Sequence, residues 1–394
     1  MTLDIGAVQA SLRAAGLDGW LLYDFHGSNP IAQSLAGLAH AAKMTTRRWY
    51  YFIPAEGAPR GLVHGIERHN LEALPGTMQV YAGRRSLDDG LTALLTGARR
   101  VAMEYSPGCA IPYISRVDAG TIEAVRERGV EVVSSGDLVQ QFEAVWSATQ
   151  VASHRRASAA LYRVKDRAFE VLAAVTRGDD GIGEYGLQQR MAGWFAEEGL
   201  VSDSPPVVAA MANAGNPHYL PTAGSDRAIG RDELVLLDLW GRVAEPGSVF
   251  ADITWVGFTG STVPEPMARA FGAITAARDR AVEVVAGAVA AGRPIRGCDA
   301  DHAARAVLVE AGYGDAILHR TGHSLGESVH GNGAHLDDYE TRDERQLLDG
   351  SAFTVEPGLY FSDFGVRTEI NVVIDGTEAC VSGPRQRAII AFGS

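Results

Sequence analysis

Two acidic residues lie inside apolar, strand-like runs, and they constrain this chain more than any other feature. In Leu234-Val235-Leu236-Leu237-Asp238-Leu239-Trp240 an acid interrupts a hydrophobic segment. Fourteen residues on, Phe250-Ala251-Asp252-Ile253-Thr254-Trp255-Val256 repeats the pattern. An ionised carboxylate in such a setting needs a cation or several donors. Turn residues in Gly241–Gly247 make the two runs a candidate hairpin in which Asp238 and Asp252 face each other. Read alone, each acid could equally be a strand-end residue near solvent.

Two more acids follow the same logic. Glu356 closes the β-rich run Phe353-Thr354-Val355 and precedes Pro357-Gly358. Glu369 sits in Val366–Ile374, read here as one strand. Period-2 counting sets Arg367, Glu369, Asn371 and Val373 on one face of it. Ser362-Asp363-Phe364-Gly365 is the turn between the two runs, so a second hairpin presents Glu356, Glu369 and Arg367. A surface hairpin with an Arg–Glu pair is the plain alternative.

Four such carboxylates cannot converge unaided. At an effective dielectric of ~20, each like-charged pair near ~4 Å costs about 4 kcal/mol. Several pairs would cancel a domain's whole stability of ~5–15 kcal/mol. Either the acids stay apart or cations hold them. An oxygen-rich set with one imidazole suits two hard or borderline divalent ions.

The imidazole is found in His319-Arg320-Thr321-Gly322-His323-Ser324-Leu325-Gly326, followed by Glu327-Ser328-Val329-His330-Gly331. Three histidines beside glycines that permit close approach point to a site. His218 lies in Asn213-Ala214-Gly215-Asn216-Pro217-His218-Tyr219. Gly322-His323-Ser324-Leu325-Gly326 also fits the nucleophile elbow of α/β hydrolases. That motif needs a helix after the serine and a histidine late in the chain. Gly326, Gly331 and Gly333 oppose the helix, and no histidine follows His335, so the serine-hydrolase reading is set aside.

The rest of the chain is ordinary for a globular protein. Its 394 residues give a prior of two domains, and apolar residues make up 46%. The first part alternates helix and strand signals, with strands at Trp20–Tyr23, Trp49–Ile53, Gly61–His64, Met78–Tyr81, Val101–Glu104 and Val130–Val133. Ser147 opens a long helix to about Thr176, Gly178–Gly183 breaks it, and a second helix runs from Glu184 to Glu198. Pro205–Ala214 reads as irregular. Long helices at Glu265–Ala290 and Ala300–Ala311 follow. The boundary falls between domains 1–145 and 146–394. The net charge of −13 argues against a nucleic-acid partner. No stretch resembles a membrane span or a signal peptide. Cys109, Cys298 and Cys380 are odd in number and far apart, so they read as buried small apolar residues in a reducing cytoplasm.

The ordered set Asp238, Asp252, Gly322-His323, Glu356-Pro357-Gly358 and Glu369 resembles the pita-bread metallopeptidases: methionine aminopeptidase, aminopeptidase P and prolidase. The resemblance spans roughly Ser147–Ile374. The extra N-terminal α/β domain is similar to that of the creatinase, prolidase and aminopeptidase P branch. It implies an α/β N-terminal domain followed by an α+β pita-bread catalytic domain. Three departures stand out. The two aspartates are further apart than is usual, which reads as a longer turn at Arg242–Gly247. Ser324 replaces a glycine after the histidine. Gly331 follows His330 where the family often has an acid.

The resemblance also implies a chemistry. Asp238 binds one ion, Asp252 and Glu369 bridge two, and His323 and Glu356 complete the second. A hydroxide between the ions is the nucleophile. Two divalent ions per chain are expected, manganese first, with cobalt and zinc also suited. Glu356 relays a proton to the leaving imide nitrogen, and His330 donates to the oxyanion. His218 lines the pocket near the scissile nitrogen, while His319 and Arg367 orient the leaving proline or a bridging carboxylate. The substrates are small proline-containing peptides, and a homodimer is a family-level expectation. Xaa-Pro dipeptidase is the first reading and aminopeptidase P the second. A creatinase-like amidinohydrolase and a silent binding module are more remote. Arg47 and Arg48, in Thr46-Arg47-Arg48-Trp49, are the candidate clamp for a dipeptide's free carboxylate.

Overall fold

The structure is a computed structural model that describes residues 3–38, 45–178 and 181–393. The chain divides into two compact units, Met1–Glu143 and Ala144–Ser394.

The first unit is a six-stranded mixed sheet. Its strands are β1 (Gly19–Asp24), β2 (Trp49–Pro54), β3 (Arg60–His64), β4 (Thr77–Tyr81), β5 (Arg100–Met103) and β6 (Glu131–Ser134), in the order β4-β3-β2-β1-β5-β6. Helices α1 (Ile5–Ala14), α2 (Pro30–Leu35), α3 (Arg84–Leu94), α4 (Ala119–Arg126) and α5 (Gly136–Val139) cover it. Side chains of β1 and β2 alternate between two layers. Trp20, Leu22, Trp49 and Tyr51 pack with Val8 and Leu12 of α1. Leu21, Tyr23, Tyr50 and Phe52 pack with Leu87 and Leu91 of α3 and Ile122 of α4. Both faces are buried, so these strands read as continuous apolar runs.

The second unit opens with α6 (Ala148–Arg177), started by a capping box between Ser147 and Gln150. It ends at Gly178, and the remainder of the expected Gly178–Gly183 break includes Asp179 and Asp180, which lie outside the described residues. Then come α7 (Glu184–Glu197), β7 (Leu200–Val201), β8 (Val207–Ala210), β9 (Leu234–Val243) and β10 (Ala251–Phe258). Two helices, α8 (Glu265–Ala290) and α9 (Gly297–Glu310), lead into β11 (Ala352–Val355), β12 (Gly358–Tyr360), β13 (Gly365–Arg367), β14 (Ile370–Asp375), β15 (Glu378–Ser382) and β16 (Ile390–Ala391).

β9 and β10 form the expected antiparallel hairpin, and their alternation decides where the acids point. Val235, Leu237, Leu239, Ile253 and Trp255 pack under α6 and α7. Leu234, Leu236, Val256 and Phe258 pack against α8 and α9. Asp238, Trp240, Asp252 and Thr254 share the parity of that second face. Each buried aliphatic or aromatic side chain contributes about 1.5–3 kcal/mol, so a one-residue slip is strongly opposed.

Several expectations are corrected. Pro205–Ala214 is not all irregular, since Val207–Ala210 pairs with β9, opposite Asp238 to Val235. The diproline hides the strand, and tertiary pairing makes it. Val366–Ile374 is not one strand. The chain leaves the ladder at Thr368–Glu369, so that β13 pairs with β12 while β14 pairs with β11. Helix α9 begins at Gly297 rather than Ala300. All three cysteines are free, but only Cys298 is buried; Cys109 is exposed.

Candidate metal centre

Asp238 and Asp252 face each other diagonally across the hairpin. Asp238 is opposite Thr254, and Asp252 is opposite Trp240. Asn371 of β14 locks the backbone of Asp252 in place: its Oδ1 accepts from the Asp252 N–H at 3.0 Å, and its Nδ2 donates to the Asp252 carbonyl.

Thr254 ties three groups together. Its hydroxyl donates to Glu369 Oε2 at 2.8 Å and accepts from Arg367 Nε at 3.0 Å. The break at Thr368–Glu369 lets two residues of the same parity, Arg367 and Glu369, both reach this point. Arg367 also donates to Asp238 Oδ2 through Nη2, and to the Tyr360 hydroxyl through Nη1 at 3.1 Å.

His323 arrives on an irregular loop laid against β11. A Cβ on Gly322 would stand 2.0 Å from the Thr354 carbonyl oxygen, so only glycine permits this approach. The Thr354 N–H donates to the His323 carbonyl at 2.8 Å, and the His323 N–H donates to Thr354 Oγ1 at 2.9 Å. His323 Nδ1 lies 3.1 Å from the Ser324 carbonyl oxygen. A carbonyl can only accept, so Nδ1 carries the proton and Nε2 presents a lone pair. That nitrogen is 3.3 Å from Glu356 Oε1 and 3.6 Å from Asp252 Oδ2.

This arrangement fits a cation. Asp252, His323 and Glu369 each offer a ligand atom, all within 4.8 Å of one another. Asp252 Oδ1 and Glu369 Oε1 are buried with no hydrogen-bond partner among the described residues. An imidazole lone pair facing carboxylate oxygens is repulsive unless a positive charge lies between them. Burial, then repulsion from neighbouring carboxylates, pushes Asp252 and Glu369 well above the usual carboxylate range. Burial also raises Asp238, with Arg367 opposing. Glu356 moves the other way: burial alone would raise it, but His323, His319 and Arg367 together hold it down.

The His330 ring is edge-on to that of His323, 4.4 Å between centroids. His319 is joined to the site through Tyr360, its Nδ1 donating to the Arg320 carbonyl at 2.6 Å and its Nε2 accepting from the Tyr360 hydroxyl at 2.6 Å. A directional chain therefore runs Arg367 to Tyr360 to His319. His218 is exposed on the segment after Met211–Gly215. Buried Glu184 anchors that segment by accepting from Ala210 N, Asn213 Nδ2 and the Tyr219 hydroxyl. Arg47 and Arg48 belong to the first unit. The Arg47 guanidinium donates to Thr46 Oγ1 at 2.9 Å, and the Arg48 carbonyl accepts from the Tyr81 hydroxyl at 2.7 Å.

Ser324 is no nucleophile by placement. It is buried, no helix follows it, and its Oγ accepts from the Gly333 N–H at 3.0 Å. Sequence reasoning placed Asn371 on the face of Glu369 without a role and missed Thr254, Tyr360 and Glu184. Thr254 was accessible as the residue one β-period beyond Asp252. The others carry no local signal.

The family model for metallopeptidase family M24 matches residues 152–376. The "Probable dipeptidase PepE" of Mycobacterium tuberculosis is 27% identical over 349 residues, covering 86% of this chain and 84% of that protein. The Xaa-Pro dipeptidase of Pyrococcus furiosus is 34% identical over 151 residues, 38% of this chain and 39% of its own length. The crystal structure of dipeptidase PepE from Mycobacterium ulcerans superposes with a TM-score of 0.73 at 24% identity, covering 99% of this chain and 97% of that one. The fold is thus an α/β N-terminal domain followed by a pita-bread catalytic domain.

Proposed function

The chain belongs to metallopeptidase family M24, and from that premise we propose that it is an Xaa-Pro dipeptidase working with two divalent cations. Asp238, Asp252, His323, Glu356 and Glu369 would hold them. One observation carries the reading: the buried Asp252 Oδ1 and Glu369 Oε1 have no hydrogen-bond partner among the described residues, and the His323 imidazole converges on the same two carboxylates. Manganese suits the oxygen-rich set, with cobalt or zinc as alternatives. Family likeness supports a homodimer, and three free cysteines support a reducing, cytoplasmic setting.

When bound, such ions supply a water of lowered pKa and polarise the scissile carbonyl. The side chains do the rest. Glu356 takes the proton from the attacking water and delivers it to the leaving imide nitrogen. His330, beside His323, donates to the developing oxyanion. Arg367 opposes the rise that burial imposes on Asp238 and orders Thr254, which in turn fixes Glu369 Oε2. The Tyr360 hydroxyl accepts from Arg367 Nη1 and donates to His319 Nε2. His218 lines the pocket on the leaving-group side. A guanidinium of Arg47 or Arg48 is our assignment for the substrate's free carboxylate. An Xaa-Pro bond has no N–H to grip, so a site that positions the carbonyl and both chain ends has the advantage.

The test is an assay of the manganese-loaded protein on Ala-Pro, Ala-Pro-Ala and Ala-Ala. Fast release of proline from Ala-Pro alone is expected. Cleavage of Ala-Pro-Ala with Ala-Pro untouched would make it an aminopeptidase P. Preference for Ala-Ala would make it a dipeptidase without proline selectivity.

A further inference from the structure

Both β7 and β8 pair with the same edge of β9, but their registers differ by two residues. The extra residues are absorbed in Ser202-Asp203-Ser204-Pro205-Pro206, where the two prolines have no N–H to give the ladder. The excursion lifts Asp203 over the sheet. Its Oδ1 accepts from Trp240 Nε1 at 2.7 Å, and no other donor among the described residues reaches the carboxylate. The side chain is exposed.

Trp240 fixes where that carboxylate stands. It is opposite Asp252 in the ladder and two residues beyond Asp238, so its indole shares the face of the metal-binding carboxylates. An aromatic plane therefore leads outward from the cluster and ends in an anion that no cation among the described residues neutralises. The α-ammonium of a bound peptide is two bonds from the scissile carbonyl carbon and stays near the cluster. A Lys or Arg side chain instead carries its charge outward on an apolar stem, which can lie along an indole.

We propose that Asp203 and Trp240 form a subsite for a basic side chain on the residue preceding the scissile bond. This makes Asp203 a specificity-determining residue, and the proposal rests on the peptidase reading above. A Glu side chain there would meet Asp203 with like charge and be disfavoured.

The experiment compares kcat/KM for Arg-Pro, Ala-Pro and Glu-Pro on the metal-loaded wild type and on Asp203→Asn. A hydrogen bond to a charged group discriminates by about ten- to a hundredfold. Asp203→Asn should lower the Arg-Pro to Ala-Pro ratio by about tenfold and raise the Glu-Pro to Ala-Pro ratio, with metal content unchanged. Asp203→Glu should restore part of the Arg preference. Unchanged ratios, or an equal loss on all three substrates, would overturn the proposal. Should the wild type cleave no Xaa-Pro bond, the dipeptidase reading fails first. The same ratios are then read on Arg-Ala, Ala-Ala and Glu-Ala, where they decide the subsite separately.

Discussion

Arg367 donates to Asp238 Oδ2 with both side chains buried. That pairing gives one of the converging carboxylates a cation from the chain itself. Asp252 and Glu369 have none: no Arg or Lys among the described residues lies within ion-pair distance of either. The site is thus built in two halves, one neutralised internally and one that needs positive charge from outside.

It follows that Asp252→Asn and Glu369→Gln should act oppositely on the two forms of the protein. With metal, each loses a ligand, and affinity should fall by more than the ten- to hundredfold typical of outer-shell losses, activity with it. Without metal, each removes a buried repulsive carboxylate, so the melting temperature of the chelator-treated protein should rise. Elemental analysis and thermal melts in both states check this. Unchanged metal content with full activity would refute the ligand assignment.

Ser324→Ala should keep most of its activity. The hydroxyl holds Gly333, and losing one such hydrogen bond costs about 0.5–1.5 kcal/mol of stability. A folded, metal-loaded variant without turnover would instead revive Ser324 as the nucleophile.

The sequence exposed these acids because charges inside apolar strands are physically anomalous; Asp252, Glu369 and His323 bring ligand atoms within 4.8 Å of one another, and Glu356 Oε1 lies 3.3 Å from the His323 imidazole. It exposed β10 and α8 for a related reason: their periodicity is set by burial on defined faces. What it hid is what depends on distant partners. Val207–Ala210 becomes a strand only because β9 offers an edge. The break after Arg367 exists because β12 and β11 claim successive parts of one apolar run. Tyr360 and Glu184 matter through contacts with residues far along the chain, and nothing in their neighbours announces it.

His330→Ala should separate binding from turnover. The ring packs edge-on to His323, 4.4 Å between centroids, where it is our assignment for the oxyanion donor. Loss of an oxyanion donor typically costs about 10²–10³ in kcat. Metal content by elemental analysis should stay at the wild-type value while kcat falls by that factor. A parallel fall in metal would make His330 a ligand.

Acid stability depends in part on a histidine away from the metal centre. His154 of α6 is fully buried, with Nδ1 2.9 Å from the Phe250 carbonyl oxygen and Nε2 2.8 Å from Ser382 Oγ. The carbonyl takes the Nδ1 proton, so Nε2 accepts from the serine and the ring is neutral. Burial lowers its pKa from the ordinary 6.5 to about 4, the Phe250 bond opposing and Arg155 adding to the fall. The unfolded chain therefore binds this proton more readily than the folded one. Stability is full above pH 6.5, declines as pH falls toward about 4, and levels off below. The loss should reach about 2 kcal/mol by pH 5 and about 3 kcal/mol in all. Other buried histidines add their own slope, so the difference between wild type and His154→Gln isolates this one. Glutamine can still donate to Phe250 and accept from Ser382. Urea midpoints at pH 7 and pH 5, measured with chelator to remove metal linkage, should show the variant losing about 2 kcal/mol less than wild type over that interval. Parallel pH profiles for the two proteins would mean that His154 does not carry this proton linkage.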